Sequence, residues 1–310
     1  VTAPAAAWDP TRLPDQRGRT IVVTGGNAGV GYFVSEQLAA AGARVVLAAR
    51  SPEKAHAAME AIRTRVPGAA LAFVRLDLSS LDSVRTAAAE LRALGTIDVL
   101  VQNAGLTGGS RQRETTADGL EIMVGTNAFG HFALLAGVWP ALAADARIVG
   151  LGSLSTQLAK ADLDDLQQVR GRYSLSRAYA YSKHAVHALG FELDRRLRAA
   201  GSTRASVVAH PGFALDTRTP PRPGVARKVE NRVLGTLLAP MTQGKDRGAW
   251  PVVRAAIDPL AEGGRFWGPR RRLRGLPVVA TPPAQSAAPE FGAEVWRQAE
   301  AATGVDLDVR

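Results

Sequence analysis

Ile21-Val22-Val23-Thr24-Gly25-Gly26-Asn27-Ala28-Gly29-Val30-Gly31 is the stretch on which the fold turns. A β-branched run leads into three spaced glycines, and a helical pattern follows over residues 34–41. A loop that cradles the phosphates of a dinucleotide needs that order. Gly25 permits a tight turn, Gly29 lets the backbone approach a pyrophosphate, and Gly31 allows close packing of helix on strand. The helix N-terminus then faces the phosphates. In a chain with 31 glycines among 310 residues, chance supplies such a pattern about 0.3 times. Context therefore has to carry it.

Outward from the loop, further short β-branched runs cover residues 44–49, 70–76 and 97–102, and Thr20–Thr24 is the first of the series. Helical periodicity lies between them, over residues 52–66 with Pro52 in the first turn, and over 81–94 with Ser79 or Ser80 as its cap. A long apolar helix over about 118–144, a strand over 147–151, a helix over about 177–200 and a strand over 205–209 complete the series. Strands alternating with helices of ten or more residues predict a doubly wound parallel sheet, covered on both faces by right-handed crossovers. The expected class is α/β with a Rossmann fold in a single domain spanning residues 1–310. The Pro- and Arg-rich residues 212–244 are expected as an excursion on the substrate side. A tail over about 270–310 carries a last short helix at 290–303.

Composition removes several functions. The chain is 46% hydrophobic and 21% charged, enough for a large core. With no cysteine there is no disulfide, thiolate metal site or cysteine nucleophile, and no metal site is expected. No run of eighteen apolar residues occurs, and residues 1–9 do not resemble a secretion signal. A cytoplasmic protein without a membrane segment is the expectation. The net charge of +10 rests almost wholly on arginine, with five lysines among 38 basic residues. These arginines are spread along the chain with few aromatics between them, which argues against a nucleic-acid partner. The densest run, Arg270-Arg271-Arg272-Leu273-Arg274, reads as a solvated loop. The expected partner is a small-molecule substrate.

The end of the second strand bears on which dinucleotide would fit. An NAD site offers a carboxylate there to the ribose 2′-hydroxyl. This chain offers Ala48-Ala49-Arg50-Ser51. A guanidinium grips a 2′-phosphate through paired hydrogen bonds, so NADP(H) is expected, with Asn27 as a further contact.

Chemistry is carried by Tyr179-Ala180-Tyr181-Ser182-Lys183. A phenol and an ammonium four residues apart share one helix face. Bringing a phenol of pKa about 10 to neutrality takes about 4 kcal/mol of differential stabilisation, which a nearby ammonium can supply. Tyr181 is followed at that spacing by Ala185, and Tyr173 by Arg177, so only Tyr179 meets a lysine.

In chain order, Thr24–Gly31, Asp77-Leu78, Asn103-Ala104-Gly105, Asn127, Ser153, Tyr179 with Lys183, and Pro211-Gly212 resemble the short-chain dehydrogenase/reductase family, in its single-domain branch. The likeness runs from about residue 20 to 212, two-thirds of the chain. It implies a catalytic set of Asn127, Ser153, Tyr179 and Lys183. Tyr179 would be the general acid or base, Lys183 would lower its pKa and hold the nicotinamide ribose, and Ser153 would hold the substrate oxygen. Asn127 would support a water relay behind the lysine. The implied cofactor residues are Thr24, Gly25, Asn27, Gly29, Val30, Gly31, Arg50, Asp77, Leu78, Asn103, Ala104, Gly105, Tyr179, Lys183, Pro211, Gly212 and Thr217. Asp216 stands at the family's usual Thr position, leaving open a one-residue insertion or a changed carboxamide contact at Thr217.

Gln102 and Gly152 also depart from the family pattern, at positions where Asn and Ser are common. Ser153 and Tyr179 are 26 residues apart, about twice the usual separation, and the acidic insert 161–166 resembles that of retinol-dehydrogenase-like and protochlorophyllide-reductase-like members. That likeness implies reduction of a carbonyl, or oxidation of an alcohol, on a bulky apolar substrate such as a secondary-metabolite intermediate. Leu154, Leu158, Phe213 and Leu215 would make a greasy pocket, with Arg218 or Arg222 available to an acidic group. A redox-neutral epimerase or dehydratase and a non-catalytic NADP-sensing protein stay open. So does the choice between a monomer and a homodimer or homotetramer built on the helices 118–144 and 177–200.

Overall fold

The strands of this chain are apolar on both faces, and a sheet built from them must be covered on both sides. The structure, a computed structural model, describes residues 8–226 and 241–309. Most of the stretch read for a secretion signal, residues 1–7, and residues 227–240 of the expected excursion lie outside the described residues. Eight strands form one sheet: β1 (Thr20–Thr24), β2 (Arg44–Ala49), β3 (Leu71–Arg75), β4 (Ile97–Gln102), β5 (Leu142–Leu151), β6 (Ala205–Ala209), β7 (Phe266–Pro269) and β8 (Pro277–Ala280). Their order is β3-β2-β1-β4-β5-β6-β7-β8, parallel throughout except that β8 returns antiparallel to β7. The order reverses between β1 and β4, which opens a crevice at the C-terminal strand ends.

Alternation along the strands divides the core. Val22, Val46, Ala48, Leu100 and Ile148 face one side, and Ile21, Val23, Val45, Leu47, Val99, Val101 and Val149 the other. The helices are α1 (Gly29–Ala40), α2 (Pro52–Arg65), α3 (Leu81–Ala93), α4 (Ile122–Val124), α5 (Gly130–Val138), α6 (Leu175–Ala199), α7 (Trp250–Ile257) and α8 (Pro289–Thr303). The first two and α7 cover the second of these faces, and the rest cover the first. Ser51 caps α2 ahead of Pro52, and Ser80, not Ser79, caps α3.

The expected helix over 118–144 is shorter. Helical backbone begins at Ile122, passes through a π-helical stretch Gly125–Phe129, and closes in a 3₁₀ turn Trp139–Ala141 that contains Pro140. Strand β5 then starts at Leu142, five residues before the expected 147. Its alanines favour helix by propensity, but pairing with β4 overrides them. Arg204 Nε and NH2 donate to the Ala143 and Leu142 carbonyls, each at 3.0 Å. The stretch Ile122–Ala141 is long and apolar enough to cross a membrane by length and composition, yet 78% of its most apolar window is buried in this fold. It packs here as a core helix against α3 and α6.

The tail belongs to the same core. Phe291, Val295 and Trp296 of α8 are buried, and Trp296 meets Phe132 edge-on at 5.0 Å. Burial of side chains this size stabilises by about 1.5–3 kcal/mol each. Helix α8 thus lies against α5 and α6, the two helices expected to carry an oligomer interface. The acidic insert is held by this tail. Gln285 donates from Nε2 to the Ala161 carbonyl at 2.7 Å and accepts from the Ala161 amide at 2.9 Å. Gln298 Nε2 donates to the Leu163 carbonyl at 2.9 Å.

Arg222 has a different place from the one expected of it. Its Nε and NH2 donate to Glu36 of α1 at 2.6 and 2.8 Å, its guanidinium lies 5.2 Å from the Phe33 ring centroid, and Tyr32 also donates to Glu36. A guanidinium so engaged is not available to a substrate acid, and it ties the residues after Gly212 to the first helix. Removing one partner of such a sheltered pair leaves the other unpaired. Arg222→Ala is therefore expected to lower unfolding free energy in urea by about 3 kcal/mol. The double variant with Glu36→Ala should lose no more than the single one, and additive losses would show the two residues to be uncoupled.

Candidate active site

The glycine loop is shaped by what surrounds each glycine. Gly25 and Gly29 have φ of +65° and +61°, the region glycine alone enters without strain. A Cβ on Gly29 would meet nothing within 4 Å, so the backbone there is open to a ligand. A Cβ on Gly31 would lie 2.2 Å from Asn103 Nδ2 and 2.4 Å from the Gly25 carbonyl, so this glycine serves close packing. Ala28 occupies the N-cap of α1 without a side-chain hydrogen bond, and no acid lies in the first turn. The α1 N-terminus therefore fits phosphate oxygens. Asn27 and Val30 flank it, both half-buried.

Thr24 and Asn103, expected among the cofactor contacts, turn inward. Thr24 is fully buried, and its Oγ1 accepts from the Asn103 and Ala104 amides at 2.9 Å each. Asn103 Nδ2 donates to the Thr24 carbonyl at 2.8 Å. Their side chains fasten the end of β1 to the end of β4. Arg50 is exposed just beyond β2, with no ion pair or hydrogen bond among the described residues, and no carboxylate stands there. The half-buried Asp77 carboxylate accepts from the Ser79 amide and hydroxyl at 3.0 and 2.6 Å, and Leu78 beside it is buried. A Cβ on Gly105 would meet Asn127 Oδ1 at 2.8 Å. Pro211 accepts at its carbonyl from Gln243 Nε2 at 2.8 Å, and Gly212 has φ +68° with the Leu273 carbonyl against it. Thr217 sits exposed in the 3₁₀ turn Asp216–Arg218, beyond these residues.

Helix α6 and the end of β5 bring the catalytic candidates together. Lys183, nearly inaccessible, donates from Nζ to the Leu151 carbonyl at 2.8 Å and lies 6.0 Å from the Tyr179 ring centroid. Burial pushes its pKa down to about 8. Burial raises the Tyr179 phenol above its ordinary value, and a hydrogen bond with the Ser153 side chain opposes that rise. Desolvation is the larger of the two influences on this phenol. Tyr173 donates instead to Glu121 at 2.9 Å, and Tyr181 is buried in the core.

Asn127 lies in the π-helical stretch, a backbone form frequent at functional sites. Its Oδ1 accepts from the Leu106 amide at 2.7 Å, and its Nδ2 donates to the Leu106 carbonyl at 3.0 Å and to Ser182 Oγ at 2.9 Å. Ser182 Oγ donates in turn to the Tyr179 carbonyl at 2.8 Å. Gly152 has a local reason. A Cβ there would lie 2.2 Å from His187 Nε2, which accepts from the Ser153 amide at 3.1 Å. Of the residues expected to make a greasy pocket, Leu154 and Leu215 are half-buried, while Leu158 and Phe213 are 84% and 37% exposed. Arg218 is exposed as well.

Sequence reasoning missed the histidines. His131, His184, His187 and His210 are all buried within this region. His184 bonds Ser286 of the tail at 2.7 Å and the Ala159 carbonyl at 2.9 Å. His210 Nδ1 accepts from the Gly212 amide at 3.2 Å. Their spacing gave no sign of this, apart from His184 and His187 sharing the helix of Tyr179. Among the described residues no cluster of metal-ligating side chains forms.

Comparison with known proteins gives the family. The sequence profile described as short chain dehydrogenase matches residues 19–221. Polyprenol dehydrogenase of Mus musculus is 36% identical over 266 residues, covering 83% of this chain and 77% of that protein. Retinol dehydrogenase 13 of Homo sapiens is 37% identical over 200 residues, 64% of this chain and 59% of that protein. Among solved structures, an uncharacterized protein from Mycobacterium paratuberculosis superposes with a TM-score of 0.79 at 32% identity, over 97% of this chain and 99% of that one.

The buried imidazoles make stability depend on acidity. Burial lowers the pKa of all four, His131 and His210 to about 4. Below about pH 6.5 the unfolded chain therefore binds more protons than the folded one. The stability they permit is complete above that pH and is lost as the pH falls towards their folded values. At pH 5, His131 and His210 should cost about 2 kcal/mol each. The urea midpoint is expected to drop clearly between pH 7 and pH 5, and an unchanged midpoint would show that the folded chain accepts these protons freely.

Proposed function

The chain belongs to the short-chain dehydrogenase family, and on that premise we propose that it is an NADP(H)-dependent oxidoreductase interconverting a carbonyl and an alcohol on a bulky, largely apolar substrate. The observation that carries this reading is the meeting of Tyr179, Ser153 and Lys183 at the end of β5, beside an uncapped helix N-terminus whose glycine loop leaves room for a phosphate backbone.

A bound nicotinamide dinucleotide supplies or accepts the hydride. The loop Gly25, Asn27, Gly29, Val30 and Gly31 would hold its pyrophosphate, and Arg50 its 2′-phosphate. Asp77 and Leu78 would border the adenine, Asn103–Gly105 the ribose beside it, and Pro211, Gly212 and Thr217 the nicotinamide side. Tyr179 keeps its proton at neutral pH because burial raises its pKa, so it can deliver that proton to a carbonyl oxygen during reduction. Ser153 orients the same oxygen through its hydroxyl. Lys183 places a cation behind the phenol, where charge grows as the proton leaves, and Asn127 holds the Tyr179 turn through Ser182. The apolar, partly exposed side chains of Leu154, Leu158, Phe213 and Leu215, in the segments after Ser153 and Gly212, would suit a bulky apolar substrate. The names of two relatives, a polyprenol and a retinol dehydrogenase, point the same way.

Tyr179→Phe removes one hydroxyl and little volume. It is expected to reduce turnover of bulky ketones by about 10²–10⁴-fold while NADPH affinity stays within about twofold. Retained turnover in this variant would dismiss the mechanism. Arg50→Glu should weaken NADPH by about tenfold or more and leave NADH little changed, as titration of protein fluorescence can measure. The raised phenol also sets the direction of pH dependence. Alcohol oxidation should keep quickening all the way to pH 10, and ketone reduction should hold steady over the same range, because the phenol titrates above 10. Initial rates in both directions across pH 6–10 decide it, and parallel profiles would assign the proton to another group.

A further inference from the structure

The mechanism above gives His131 no part, yet this side chain stands between the glycine loop and the Tyr179 turn. Its Nδ1 lies 2.9 Å from the Asn127 carbonyl oxygen and its Nε2 lies 2.8 Å from Thr24 Oγ1. A carbonyl can only accept, so Nδ1 carries the proton and Nε2 accepts from the Thr24 hydroxyl. Thr24 Oγ1 then keeps its lone pairs for the Asn103 and Ala104 amides. The Thr24 hydroxyl also lies 3.3 Å from the Val101 carbonyl, and the imidazole at 2.8 Å is the nearer acceptor. The path runs from the ends of β1 and β4, through Thr24 and the imidazole, to Asn127, and Asn127 continues through Ser182 to the Tyr179 carbonyl.

Two features suit the imidazole to this place. Burial keeps its pKa near 4, and the Lys183 ammonium adds to the lowering, so a second ring proton does not reverse the Nε2 contact at neutral pH. The carbonyl it reaches belongs to the π-helical stretch, where the Gly130 amide bonds the Gly125 carbonyl and the backbone ladder has widened by one residue. His131 reaches back four residues and fastens that stretch from its side.

We propose that His131 is a positioning residue that joins the glycine loop to the Tyr179 turn through Thr24 on one side and Asn127 on the other, so that cofactor seat and proton donor keep a fixed spacing. This rests on the functional reading of both sites given above. Its two contacts can be removed separately. Asn at 131 keeps a donor near the Nδ1 position and loses the reach to Thr24, whereas Gln keeps a group near the Nε2 position and loses the Asn127 contact.

The test combines a spectrum with a kinetic split. In wild-type protein carrying ¹⁵N-labelled histidine, the His131 ring should show the Nδ1–H tautomer alone at pH 7. His131→Asn should weaken NADPH about fivefold in a fluorescence titration with kcat within about twofold. His131→Gln should lower kcat about fivefold with NADPH affinity nearly unchanged. An Nε2–H tautomer overturns the proposal, and so do two variants that both keep wild-type values or lose affinity and kcat together in step with their urea stability. Wild-type protein that binds NADPH but reduces no carbonyl would defeat the functional reading instead. The tautomer and the affinity of His131→Asn would then still decide the role of His131.

Discussion

The amide of Asn103 holds the end of β4 against the end of β1, and the crevice depends on that contact. Parallel strands whose order reverses must part at their C-terminal ends, and the loops leaving them would be free to spread. Asn103 Nδ2 bonds the Thr24 carbonyl, while Thr24 Oγ1 takes the two amides that follow β4. The contact demands space, and Gly31 grants it by having no side chain. Hydrogen bonds of this kind contribute about 1 kcal/mol each, but leaving such buried groups unpaired would cost more, so the arrangement resists partial loosening.

Behind the crevice the interior is polar in an unusual way. Four imidazoles lie within hydrogen-bonding range of carbonyls, amides and hydroxyls, where most α/β cores place aliphatic side chains. A neutral imidazole is directional, with one donor and one acceptor whose assignment is fixed by its neighbours. His187 receives the Ser153 amide and takes up the volume that a side chain at 152 would need. The serine is thereby held from its backbone side, while its Oγ accepts from the Ser155 amide at 3.1 Å and also meets Tyr179. Directionality is gained at the expense of tolerance to acid.

Sequence reading found what depends on local pattern. The glycine loop, the Tyr179–Lys183 pair and the order of strands and helices are written in spacings of a few residues, and the family likeness joined them into one site. Contacts between distant segments were not legible. Arg222 looked available because Glu36 is 186 positions away, and spacing conveys the nearness of Lys183 to Tyr179 but not the desolvation of either. The start of β5 was hidden because Ala141 to Ala144 reads as helix until Arg204 and β4 are brought alongside. Thr24 reads as a cofactor contact for the same reason, since only the fold turns its hydroxyl inward.

In the sequence, the insert after Ser153 and the C-terminal tail stand as two separate segments. In the fold they are one object, because Gln285 grips Ala161 from both sides, Gln298 reaches Leu163, and His184 of α6 bonds Ser286. A longer connection between Ser153 and Tyr179 brings apolar residues such as Ala161 and Leu166 that need a cover, and the tail supplies it. Insert and tail therefore pack as a single unit. Grafting one onto a shorter relative without the other would leave half an interface facing water.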